Sequence, residues 1–105
     1  VPTQLVVTGG NARSLGRLAK RFMQATSSEK MTMHQLESLM TLLHSMSNRA
    51  RREELGLRPD RADVILPASM FIHEFATIFN YQNILLPKVG IKNGVLVDLL
   101  ETHKK

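Results

Sequence analysis

Apolar and polar residues alternate along this chain in a way that sets out its elements. Leu5-Val6-Val7 is a continuous β-prone apolar run closed by Thr8-Gly9-Gly10-Asn11. Such a run bounded by a turn predicts a short buried strand. Leu15, Leu18, Ala19 and Phe22 then recur at i, i+3, i+4 and i+7, with Arg13, Arg17, Lys20, Arg21 and Gln24 on the other side. That is one apolar face of a helix. Residues 26–30 are polar and are expected to form a connector. Thr32 followed by Gln35 has the form of a capping box, and Leu36, Leu39, Met40, Leu43 and Met46 predict a second amphipathic helix to about Ser45. Ser47-Asn48 suits the start of a short third helix over 49–55, with Gly56 just past its end. Pro59 and Asp60 suit the first turn of a fourth helix. Residues 64–79 are apolar on most sides, so this helix is expected to be central and buried, with Pro67 kinking it. A turn over 80–83 leads to an apolar strand over 84–89, where Pro87 implies an edge or strand-end position. A second glycine turn, 90–94, precedes a final helix over 95–101. The predicted order is β-α-α-α-α-β-α, an α/β fold.

Composition narrows the function classes. At 105 residues the chain suits one domain or part of one. It has no cysteine, which excludes a disulfide framework and a thiolate metal site. No apolar stretch approaches the length of a membrane span, and a soluble cytoplasmic protein is expected. Fourteen Lys and Arg against nine Asp and Glu give a net charge of +5, which favours a polyanionic partner. One Tyr, no Trp and four Phe leave few rings for stacking on bases.

The candidate chemistry lies where the first strand meets the first helix. Gly9-Gly10 lets another group approach bare backbone, and a helix N-terminus presents its N–H groups to an anion. A tight turn without ligand fits the same residues. Arg13, in the first turn, opposes the helix dipole and so suits something anionic, whereas Arg17, Lys20 and Arg21 read as a solvated face. Arg49, Arg51 and Arg52 are expected to pair with Glu53 and Glu54 on the surface. His34 and His44 do not share a helix face. His73-Glu74 starts a zinc-helix pattern that fails at Thr77. Asp60, Asp63 and Asp98 read as helix-turn or surface acids.

Three stretches carry a resemblance: Val7-Thr8-Gly9-Gly10-Asn11-Ala12-Arg13-Ser14-Leu15, Gly56-Leu57-Arg58-Pro59-Asp60-Arg61-Ala62-Asp63-Val64-Ile65-Leu66-Pro67, and Gly90-Ile91-Lys92-Asn93-Gly94-Val95-Leu96. In this order and spacing they resemble the exopolyphosphatase / guanosine pentaphosphate phosphohydrolase (Ppx/GppA) family, the middle stretch most distinctively. The resemblance implies a helix-rich portion of an actin-like (ribonuclease H-like) ATPase domain. Residues 1–105 are then a single lobe, the C-terminal part of the second actin-like domain of a longer chain. It further implies a Mg²⁺-dependent hydrolase that uses water to release terminal phosphate from polyphosphate or guanosine pentaphosphate. The catalytic Glu and the Asp-Gly-Ser-type phosphate loops of that family are not in this sequence, so the lobe alone is expected to be inactive and to hold no metal. The loop of Thr8, Gly9, Gly10, Asn11 and Ala12 matches the family's phosphate-facing loop. Arg61 matches its Arg-Ala-Asp-Val arginine, although pairing with Asp63 or capping a carbonyl would equally occupy it. Ala68 and Lys92-Asn93 depart from the family's Gly and Arg-Glu. The partners implied are the phosphate substrate, the rest of the longer chain and, for the isolated lobe, a homodimer formed through exposed sheet edge. The alternative is a small basic module for nucleic acid or a protein. It requires a continuous patch of Arg17, Arg21, Arg49, Arg51 and Arg52, where the hydrolase reading requires Arg13 and Arg61 to converge near Gly9-Gly10.

Overall fold

The computed structural model describes residues 4–87 and 95–98. The elements are β1 (Leu5–Thr8), α1 (Gly10–Phe22), β2 (Lys30–Thr32), α2 (Met33–His44), α3 (Asn48–Leu55), α4 (Pro59–Ile78), β3 (Asn83–Leu85) and β4 (Val95–Asp98). The strands form one sheet in the order β2-β3-β1-β4. β1 runs parallel to both neighbours, with Leu5 opposite Ile84 on one side and Val95 on the other. β2 is antiparallel to β3, with Met31 opposite Ile84. Leu5, Val6 and Val7 are all buried, as a continuous apolar run in a central parallel strand should be.

The mixed α/β class and the first four helices agree with the sequence pattern, but the predicted order does not hold. Val95–Asp98 is a strand, not a helix. Three apolar residues are too few to show a period, and the ladder to β1 decides the conformation, from Leu5↔Val95 to Thr8↔Asp98. β2 was expected to be connector. It is three residues long, and its buried centre is Met31 between exposed Lys30 and Thr32. β3 is flanked by β2 and β1, so it is an interior strand rather than an edge. Pro87 lies beyond its last residue, where no ladder hydrogen bond is asked of it. The glycine turn of 90–94, with Lys92-Asn93, lies outside the described residues.

Helix ends follow local chemistry. The Thr32 hydroxyl accepts from the Gln35 N–H at 3.1 Å, and the Gln35 side chain accepts from the Thr32 N–H at 2.9 Å, completing the capping box of α2. Ser47 accepts from the Ala50 N–H at 3.1 Å and caps α3. Gly56 closes α3 at φ 73°, a left-handed conformation that favours glycine. Within α1, a Cβ at Gly16 would lie 1.9 Å from the Ser28 carbonyl oxygen, so the missing side chain is what lets α1 lie against the bend before β2.

α4 packs on α1, α2 and α3. Its buried stripe is Ala62, Ile65, Ser69, Ile72 and Ala76, a 3-4 repeat of mostly small residues. It is not buried all round. Val64, Met70, Phe71 and Ile78 are exposed, Ile78 by 66%. One face of the helix is therefore interior, against the other three helices, and the opposite face reaches solvent. The helix runs unbroken through Pro67, although proline supplies no N–H for the Asp63 carbonyl. Phe71, Phe75, Phe79 and Tyr81 form a row of tilted rings along its C-terminal half, with centroid spacings of 6.4, 4.8 and 6.4 Å.

Arg51 is not paired on the surface. Its Nε and Nη2 donate to the Leu43 carbonyl at 3.1 and 2.8 Å, and its Nη1 donates to the Ala62 carbonyl at 3.1 Å. One guanidinium thus joins the end of α2 to the first turns of α4. Arg49 does pair with Glu53, at 3.0 Å, and Arg52 donates to Asn48. Among the described residues, no helix is long and apolar enough to cross a membrane.

Candidate phosphate-facing cleft

β1 delivers the chain to Gly9, whose φ of 109° and ψ of 176° lie in a region open essentially to glycine alone. The helix starts at once: the Arg13 N–H bonds the Gly9 carbonyl at 3.1 Å. The N–H groups of Gly10, Asn11 and Ala12 come before that first helical bond. No side chain caps α1, and its first turn holds no acidic residue.

Arg61, from the first turn of α4, reaches back fifty residues to this mouth. Its Nη1 donates to Asn11 Oδ1 at 2.9 Å. Its guanidinium lies so close over Gly10 that a Cβ there would come within 2.2 Å of Nη2. Gly10 therefore serves the approach of an arginine, a role that its backbone conformation alone would not reveal. Asp63, the alternative partner for Arg61, instead accepts from the Asn48 side-chain amide.

Beside Arg61 a cleft of about 230 Å³ opens, lined by Gly10, Arg13, Ser14 and Arg17 of α1, by Gly56, Leu57 and Arg58 before α4, and by Arg61. Arg13 and Arg61 thus converge next to Gly10, as the hydrolase reading requires. The Arg13 side chain is exposed and makes no hydrogen bond or ion pair with another described residue. Of the remaining loop residues, Asn11 is buried beneath Arg61, and Ala12 belongs to the apolar core. Thr8 and Gly9 are half-buried and, with Ala12, are not among the cleft-lining residues.

Sequence reasoning missed Ser14, Arg17, Leu57 and Arg58. Arg17 read as a solvated cation, yet it stands one turn after Arg13 on the same helical face, and that i, i+4 spacing was the available signal. Four guanidiniums now border one cleft, and beside them Asp60 accepts from Arg58 at 3.5 Å with both side chains exposed. Guanidinium forks match the geometry of phosphate oxygens. Among the described residues, no group of three or more His, Asp or Glu is placed to hold a metal ion. His73 instead meets Glu37 across α4 and α2 at 2.9 Å. The described residues therefore do not fit a magnesium centre.

A family model described as the Ppx/GppA phosphatase family matches residues 1–103. No curated protein matches the chain.

Proposed function

The chain belongs to the Ppx/GppA phosphatase family, and from that membership we propose that it is the phosphate-facing lobe of a phosphoanhydride hydrolase. On this reading it is the C-terminal part of the second actin-like domain of a longer cytoplasmic protein. That protein releases terminal phosphate from inorganic polyphosphate or guanosine pentaphosphate, with Mg²⁺ and the catalytic glutamate supplied outside the described residues. The observation that carries the reading is the placement of Arg61, brought from α4 onto Gly10 and Asn11 beside Arg13. Phosphoryl transfer depends chiefly on positioning and on stabilising charge spread over the phosphoryl oxygens. Arg13 and Arg61 supply positive charge and directed donors, and the start of α1 supplies backbone N–H groups and the positive end of its dipole. The chain's own part in the reaction is to hold and orient a phosphate chain.

The rival reading, a basic binding module, is less well supported. Arg51 is spent on two backbone carbonyls, so a patch of Arg17, Arg21, Arg49, Arg51 and Arg52 is broken at its centre. Arg21 lies over the Phe22 ring, 4.7 Å from its centroid.

The test is Mg²⁺-dependent phosphate release from polyphosphate by the longer parent and by this chain alone. Release by the parent, its loss in Arg61→Gln, and none from the lobe are expected. An inactive parent would remove the enzyme reading, and an active lobe would remove its incompleteness. The partners on this reading are the phosphate substrate, the remainder of the parent chain and, for the lobe alone, a second copy. A clean monomer in sedimentation at high concentration would exclude that second copy.

A further inference from the structure

Arg17 and Arg58 extend the cleft away from the βα mouth. Arg17 lies four residues beyond Arg13, roughly 6 Å farther along the α1 axis. Its guanidinium reaches Ser14 Oγ at 3.3 Å, within its own helix. Arg58 stands at the N-cap of α4 and touches Asp60 two residues on. Among the described residues, neither guanidinium bonds another element, in contrast to Arg51, which joins two helices, and Arg61, which bonds Asn11. They add positive charge to the cleft and little to the fold. A single tetrahedral anion at the mouth would meet Arg13 and Arg61. Arg17 and Arg58 line the same cleft and suit further anionic groups linked to the first, whose binding is then intramolecular.

We propose that Arg17 and Arg58 form the outer half of this site and read chain length, so that the cleft selects a linear oligophosphate over a lone phosphate group. This rests on the mouth of Gly10, Arg13 and Arg61 being the phosphate-facing end. The ligand crosses from the start of α1, along its Arg13–Arg17 face, to the segment that enters α4. Selection comes from the number of charge-assisted contacts that each added phosphoryl unit gains.

Calorimetric titration of the chain with orthophosphate, tripolyphosphate and long-chain polyphosphate tests this. Affinity should rise at each step. Arg17→Gln and Arg58→Gln should each weaken tripolyphosphate binding about tenfold, the size of one lost charge-assisted hydrogen bond, with orthophosphate affinity unchanged. Arg17→Lys and Arg58→Lys should recover most of the loss, and circular dichroism should show every variant folded. Arg61→Gln should weaken all three probes. If Arg17→Gln and Arg58→Gln bind tripolyphosphate as the parent sequence does while Arg61→Gln does not, the outer half is refuted and the mouth stands. If Arg13→Gln and Arg61→Gln change nothing, or no probe binds, the mouth falls and the extension with it. A single-stranded oligonucleotide that competes as strongly as polyphosphate would mark a general basic surface and overturn the proposal.

Discussion

Arginine does three separate jobs in this chain, and the surroundings of each side chain decide which. Arg51 binds two main-chain carbonyls from different helices, Leu43 and Ala62. Replacing it by Gln strands both, and unfolding in urea should show a loss of about 1–3 kcal/mol. Arg49 pairs with Glu53 where both side chains are more than half exposed. Arg49→Gln should change stability by less than about 0.5 kcal/mol in the same measurement. Arg61 bonds the buried Asn11 of α1 and lies over Gly10 beside the cleft. A sequence shows three chemically identical residues here. What separates them is which carbonyl or glycine lies within reach, and that depends on how α3 and α4 dock. The Arg61 position became legible only through the Arg-Ala-Asp-Val resemblance; Arg17 was signalled only by its i, i+4 spacing from Arg13, and its meeting with Arg58 was not legible, because it joins α1 to a segment more than forty residues away.

Elements with a repeating apolar face or an explicit cap were readable, and those defined by pairing were not. Thr32 and Gln35 announce the start of α2, and the reciprocal bonds are present. Thr32→Ala should therefore destabilise the chain by about 1 kcal/mol, with an unchanged denaturant slope. β2 and β4 are three and four residues long, so their conformation is set by β3 and β1 rather than by any internal period. Gly16 makes a similar point inside α1. Alanine there gains about 1 kcal/mol of helix propensity, but its Cβ would meet the Ser28 carbonyl oxygen. Overpacking of this kind costs about 1–3 kcal/mol. Gly16→Ala should lower the melting temperature, whereas propensity alone predicts a rise.

At the scale of the molecule, the amphipathic pattern misleads in α4, where residues 64–79 look like the centre of a fold. Only the stripe through Ile65 and Ile72 is interior; Met70 and Ile78 are half exposed or more. Ile72→Ala should cost about 2–4 kcal/mol. Ile78→Gln should stay within about 0.5 kcal/mol of the parent and raise solubility, since it shrinks an exposed apolar patch; urea titration and precipitation assays check the pair. The cleft has its own effect on the whole. Arg13, Arg17, Arg58 and Arg61 around about 230 Å³ push one another apart, and Asp60 beside Arg58 offsets part of that repulsion. The fold bears that as a standing electrostatic load, which dissolved ions relieve. Sodium chloride brought to about 0.15 M should raise the melting temperature, and the gain should shrink when Arg17 and Arg58 are both Gln. Thermal robustness in dilute buffer and readiness to grip a polyanion are then set against each other by the same four side chains.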